Sequence, residues 1–79
     1  MSNATESIRR LRWRCRRGLL ELDLVFARFL DQRYPRLDRA QQEAFRRLLE
    51  RQDATLLAYL NGTEAPAEPE LRAIVKEIR

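Results

Sequence analysis

Residues 9–23 read RRLRWRCRRGLLELD, and they hold most of the side chains able to do chemistry. Six arginines fall between Arg9 and Arg17 with no acid among them, and Glu21 and Asp23 follow Gly18 at once. Guanidinium groups make planar, bidentate, charge-assisted bonds to carboxylates and backbone carbonyls. Arg10, Arg14, Arg16 and Arg17 are therefore candidate contacts to an acidic or carbonyl-rich partner. Glu21 is placed either to orient Arg17 or to accept from that partner. Gly18 is one of two glycines. It takes a positive φ at little cost and lets a second backbone approach. Farther along, Glu50 and Asp53 join Asp23 as a possible acidic rim.

Other chemistries are poorly supplied. The chain has no histidine and one cysteine, which leaves no histidine base and no zinc-type ligand set. No Gly-rich phosphate loop or nucleophile–base set is present. Glu21 and Asp23 are two apart and diverge on a helix, so paired-carboxylate catalysis is not supported. Cys15 reads as a small buried hydrophobe rather than a reactive thiol, although flanking arginines would favour the thiolate. These absences point away from an enzyme and toward a binding protein.

Seventy-nine residues allow one small domain. Residues 1–5 are expected to be a disordered tail or vector-derived, with a single helical domain over 6–79. Apolar residues at 44% suit a globular chain. No apolar run reaches membrane-spanning length, and no hydrophobic leader precedes the arginines, so the expectation is a cytoplasmic monomer without membrane insertion. The net charge of +4 is uneven: up to Arg36 there are nine basic and four acidic residues, and from Leu37 seven and eight.

Five helices must position these residues. The first is expected over 6–17, with Thr5 or Asn3 as N-cap and Ile8, Leu11 and Cys15 on a narrow apolar stripe. Trp13 lies off that stripe. It either packs on the next helix or belongs to an exposed contact patch. A continuous helix through Gly18 would set Arg17 and Glu21 four apart on one face. A break there would put Glu21 in the first turn of the second helix, expected over 19–33. Leu19, Leu22, Val25, Phe26, Phe29 and Leu30 form that helix's apolar face, and Tyr34-Pro35 ends it. Asp38 with Gln41 has the capping-box pattern for the third helix. Asp53 is expected to cap the fourth, which Asn61-Gly62 closes. Pro69 opens the fifth. The predicted fold class is all-α, a compact bundle of five short helices. Its core is Ile8, Leu22, Phe26, Phe29, Phe45, Leu49, Leu56, Leu60, Leu71, Ile74 and Val75.

Trp13, Cys15, Arg16, Arg17, Gly18, Glu21, Leu22 and Asp23 together resemble the signature of the succinate dehydrogenase assembly factors, small flavinylation factors of bacteria and mitochondria. That family's hallmark is Arg-Gly-x-x-Glu, here Arg17, Gly18 and Glu21. A second block, FRRLLERQD over Phe45–Asp53, is similar to the family's Phe-x-x-Leu-Leu-Glu-x-x-Asp. The resemblance runs from about Ile8 to Ile78, with Tyr59 standing where some members have tryptophan. It implies a helical chaperone that binds the flavoprotein subunit of succinate dehydrogenase, and in bacteria of fumarate reductase. Such a factor promotes covalent attachment of FAD to a histidine of that subunit and stably binds no cofactor itself. On this reading the partner meets Arg10, Arg14, Arg16, Arg17, Gly18, Glu21, Asp23, Glu50 and Asp53. Removing an exposed Arg17 is then expected to leave the fold intact. The alternative is a small basic nucleic-acid-binding or antitoxin-like regulatory protein, since an arginine run with a tryptophan suits phosphates and bases. A membrane-surface helix is a weaker fit, because the apolar stripe of the first helix is thin.

Overall fold

The computed structural model describes the backbone of residues 3–79 and the side chains of residues 8–79. It is built from α1 (Asn3–Arg14), α2 (Leu20–Gln32), a 3-10 turn (Tyr34–Arg36), α3 (Arg39–Leu48), α4 (Asp53–Asn61) and α5 (Pro69–Ile78). No strand occurs among the described residues. The first helix starts before residue 6 and stops at Arg14 rather than Arg17. The side chains of Asn3 and Thr5, expected as caps, lie outside the described residues, as do residues 1 and 2 of the expected tail, while the backbone of residues 3–5 belongs to α1.

Local chemistry sets several boundaries. The Asp38 carboxylate accepts from Gln41 N at 2.8 Å while Gln41 Oε1 accepts from Asp38 N at 2.9 Å, so two of the amides left open at the start of α3 are satisfied reciprocally. Gly62 closes α4 at φ +83°, a left-handed conformation that costs glycine little. Pro69 occupies the start of α5, where a missing N–H costs nothing. One cap differs from expectation: Gln52, not Asp53, is the N-cap of α4, with no side-chain cap bond. Asp53 is the first helical residue, and its carboxylate is engaged elsewhere.

The core is centred on Phe45 of α3, which is fully buried. Phe26, Phe29 and Tyr34 surround its ring at centroid distances of 6.1, 5.0 and 5.6 Å, within the range where tilted and edge-on aromatic pairs attract. Leu22, Phe26, Phe29 and Leu30 bring one face of α2 onto it, and Leu71, Ile74 and Val75 bring α5. The first helix adds Leu11, and Cys15 follows it into the core. Ile8 and Leu60, expected inside, are only partly buried at its edge. Leu19, expected on the buried face of α2, is the N-cap and is 38% exposed. Tyr34, expected only to help end α2, is 2% exposed in the core, and its hydroxyl has no hydrogen-bond partner.

These contacts set two expectations for urea unfolding. Phe45→Ala is expected to cost about 3–5 kcal/mol, the usual range for deleting a buried aromatic ring. Tyr34→Phe is expected to leave stability unchanged or higher, because it removes a desolvated hydroxyl that gains nothing in return. A midpoint lowered by Tyr34→Phe would reveal a bond to that hydroxyl.

Candidate functional site: the Gly18 corner

The chain turns between α1 and α2 over residues 15–19. Cys15 N still donates to Leu11 O, and Arg16 N to Trp13 O. Gly18 then takes φ +83°, and Leu19 is extended into α2. The helix is therefore broken, and Arg17 and Glu21 do not share a helical face. A Cβ built on Gly18 would meet nothing within 4 Å. The corner thus favours glycine for its backbone angle, while the space above it stays open.

Arg17 fixes this corner. Its backbone N–H donates to Asp23 Oδ1 at 2.7 Å. Its guanidinium crosses to the joint between α3 and α4, residues 49–52. Nε donates to Asp53 Oδ1 at 2.8 Å, Nη1 to Leu49 O at 3.0 Å and to Arg14 O at 3.1 Å, and Nη2 to Arg51 O at 2.7 Å. Arg14 and Leu49 lie at the ends of α1 and α3, where carbonyls lack helical partners and carry partial negative charge. Arg14 Nη2 adds a bond to Arg46 O at 2.8 Å, within the last turn of α3. The Arg17 side chain is 17% exposed. It is therefore a structural staple as well as a motif residue, which corrects the expectation of an exposed, removable charge.

The structure divides the predicted site residues accordingly. Arg14, Arg17, Asp23 and Asp53 meet in one hydrogen-bonded junction, so Asp23 and Asp53 are committed inside it and do not form an open acidic rim. Gly18, Glu21 and Glu50 are exposed. Glu21 lies in the first turn of α2 and Glu50 in the 49–52 joint. Arg10 and Arg16 are exposed too. The Arg16 guanidinium lies 5.3 Å from the centre of the Trp13 ring, a cation–π distance. Trp13 is 70% exposed, which settles its place on the outside. The sequence reading missed Leu20 and Leu24, exposed at 74% and 58%. Their signal was available: they lie four apart and fall on the side of α2 away from Leu22, Phe26 and Phe29.

Burial pushes the Cys15 thiol up to about 11, and the nearby guanidiniums of Arg14, Arg17 and Arg12 only partly offset this. The thiol stays protonated at neutral pH and is a poor nucleophile. Among the described residues no group of His, Cys, Asp or Glu side chains is arranged to hold a metal.

A family model described as flavinator of succinate dehydrogenase matches residues 9–79. The chain belongs to this family. Among its relatives, a protein of Legionella pneumophila (strain Lens) called FAD assembly factor SdhE is 48% identical, with 100% of this chain and 96% of the relative covered. Proteins with the same description from Shewanella oneidensis and Idiomarina loihiensis are 44% and 42% identical; the alignments cover 92% of this chain and 89% and 81% of those relatives. No solved structure matches the chain. The family match contains both the Gly18 corner and the 49–52 joint, the two segments that Arg17 connects.

The staple carries a stability expectation. Arg17→Ala removes one ion pair and leaves three carbonyls without their donor. At typical magnitudes for bonds to charged groups it is expected to cost about 2–3 kcal/mol. Arg17→Lys is expected to recover only part of this, because an ammonium cannot span that fork of acceptors. Chemical denaturation of the three proteins checks both; an Arg17→Ala protein as stable as wild type would show that the bonds contribute nothing net.

Proposed function

We propose that this chain binds the flavoprotein subunit of succinate dehydrogenase, and also that of fumarate reductase, and promotes covalent attachment of FAD to a histidine there. Membership of the flavinator family and the names of the relatives support the flavinylation role. The observation that carries it to particular residues is the corner: Gly18 has open space above it and Glu21 is exposed beside it, on a backbone clamped by Arg17.

The reading assigns the bond-forming chemistry to the partner's histidine and flavin, so the chain itself is no enzyme and holds no cofactor of its own. Its contribution is differential binding, which raises the population of the partner conformation that it contacts best. A rigid corner suits that task, because little ordering entropy is lost when the partner docks. Glu21 offers a carboxylate acceptor; Arg16 in the same corner and Glu50 in the 49–52 joint add charge, and Arg10 is exposed on α1. We further infer that the chain acts as a monomer in the cytoplasm. No described helix is long and apolar enough to cross a membrane.

The arginine run is less available to nucleic acid than its sequence suggests. Arg12 pairs with Asp31 at 2.8 Å, and Arg14 and Arg17 are engaged with the backbone of the α3–α4 region. At least half of the six cations in 9–17 are thus used within the fold, which favours a protein partner over phosphates.

The Gly18 test must respect the positive φ. Valine there would strain the backbone whatever the partner does, so it cannot separate folding from binding. Asparagine tolerates the left-handed region better than other side chains do, and its Cβ has room. Gly18→Asn is expected to keep the melting transition within a few degrees, and Glu21→Ala to behave alike. Both are expected to reduce covalent flavin on the succinate dehydrogenase flavoprotein at least tenfold, read as in-gel fluorescence of the denatured subunit. Full fluorescence with both folded variants would refute the assignment of function to this corner.

A further inference from the structure

A trough runs along α2 from the Gly18 corner toward the far end of the molecule. Its near part lies between α2 and α4, has a volume of about 380 Å³, and is bounded by Glu21, Leu24, Arg28 and Asn61 over a floor that includes Leu57 and Leu60. The far part, about 400 Å³, is lined by Arg33, Glu77 and Arg79, among others, beside α5. Val25, Arg28 and Leu60 line both parts, so the two are one continuous depression. From Glu21 to Arg33 it follows twelve residues of helix, roughly 18 Å at about 1.5 Å per residue.

Three features say what it fits. The floor residues Val25, Leu57 and Leu60 are packed against the core but only partly covered. Leu20 and Leu24 continue this apolar surface back to the corner, and both are largely solvent-exposed. A contiguous exposed apolar patch rimmed by polar residues is the usual form of an interaction site. The charges are ordered along the length: Glu21 stands at the corner end, Arg28 in the middle, and Arg33 and Arg79 at the far end. Glu77 is already paired with Arg33, while Arg28 is exposed and has no acidic partner among the described residues. An occupant must therefore be apolar where it lies over the floor and acidic where it meets Arg28.

We propose that this trough is a second contact for the same flavoprotein partner and takes an acidic amphipathic segment of it. Apolar side chains of that segment lie over Val25, Leu57 and Leu60, and a carboxylate meets Arg28. The proposal rests on the reading of the Gly18 corner, with which the trough is continuous through Glu21 and Leu24. A partner that covers Gly18 and Glu21 has the trough directly beside it. A segment laid there adds apolar burial to a contact that is otherwise small and polar, the combination of apolar anchor and charged rim found at protein interfaces.

The test measures binding of the purified, non-flavinylated flavoprotein subunit of succinate dehydrogenase to the full chain by calorimetry, with four variants. Leu24→Asp places a charge at the apolar mouth, and Arg28→Glu reverses the central cation. Both positions are exposed, so melting is expected to be unchanged, and the dissociation constant is expected to rise at least tenfold in each. Arg28→Lys, which keeps the charge, is expected to stay within threefold of wild type. Gly18→Asn reports on the corner separately. If Gly18→Asn abolishes binding while Leu24→Asp and Arg28→Glu bind as wild type does, the corner reading stands and the trough proposal is wrong. If wild type does not bind the subunit, both fail. Sedimentation of the chain alone provides a further check: a wild-type dimer that Leu24→Asp dissociates would assign the trough to a second copy and overturn the proposal.

Discussion

A single guanidinium connects two of the joints of this fold. Arg17 sits between α1 and α2, and its acceptors lie at the ends of α1 and α3, within the joint between α3 and α4, and at the start of α4. Each acceptor is a group that helical hydrogen bonding leaves unsatisfied: the terminal carbonyls of α1 and α3, the Arg51 carbonyl in the joint, and the carboxylate of the first residue of α4. Left alone, each would need water or would be desolvated at a cost. Gathered around one planar cation, they satisfy its donors in four directions. No described helix exceeds 13 residues, a length marginal in isolation. The aromatic cluster around Phe45 supplies the apolar burial, and Arg17 fixes where the corner stands relative to it.

The proposed partner surface depends on that placement. Gly18 follows the staple directly, so the backbone that a partner would meet is held on one side by Asp23 and on the other by the joint 49–52. Glu21 lies in the first turn of α2 and lines the near part of the trough. An arginine committed to the fold and a glycine open to solvent are thus neighbours with different tasks. A defect from changing Arg17 carries a folding component that a change at Glu21 does not.

Much of the architecture was legible because it is encoded locally. Asp38 with Gln41, Gly62 and Pro69 each satisfy or stop a helix through contacts within a few residues, and spacing alone reveals them. The buried faces of α2 and α5 were readable for the same reason. What spacing could not show was the reach of Arg17 across 32 to 36 residues to Leu49, Arg51 and Asp53. Aspartate before an apolar run reads as a cap by local preference, yet here Asp53 faces Arg17 and the cap position falls to Gln52. Tertiary pairing outweighed the local preference. Trp13 was ambiguous because a tryptophan off a narrow stripe fits either a neighbouring helix or solvent. Leu20 and Leu24 went unread because attention to the buried face of α2 hides apolar residues on the other one.

The central claim is that Arg17 locks the 15–19 corner to the 49–52 joint as one unit. Native-state hydrogen exchange of Arg17→Ala against wild type tests it most directly. Amides in residues 15–19 and 49–53 are expected to lose protection together, while α5 and the Phe26–Leu30 turn of α2 keep theirs to within the change in global stability. Loosening confined to 15–19, with 49–53 protected as in wild type, would contradict the account.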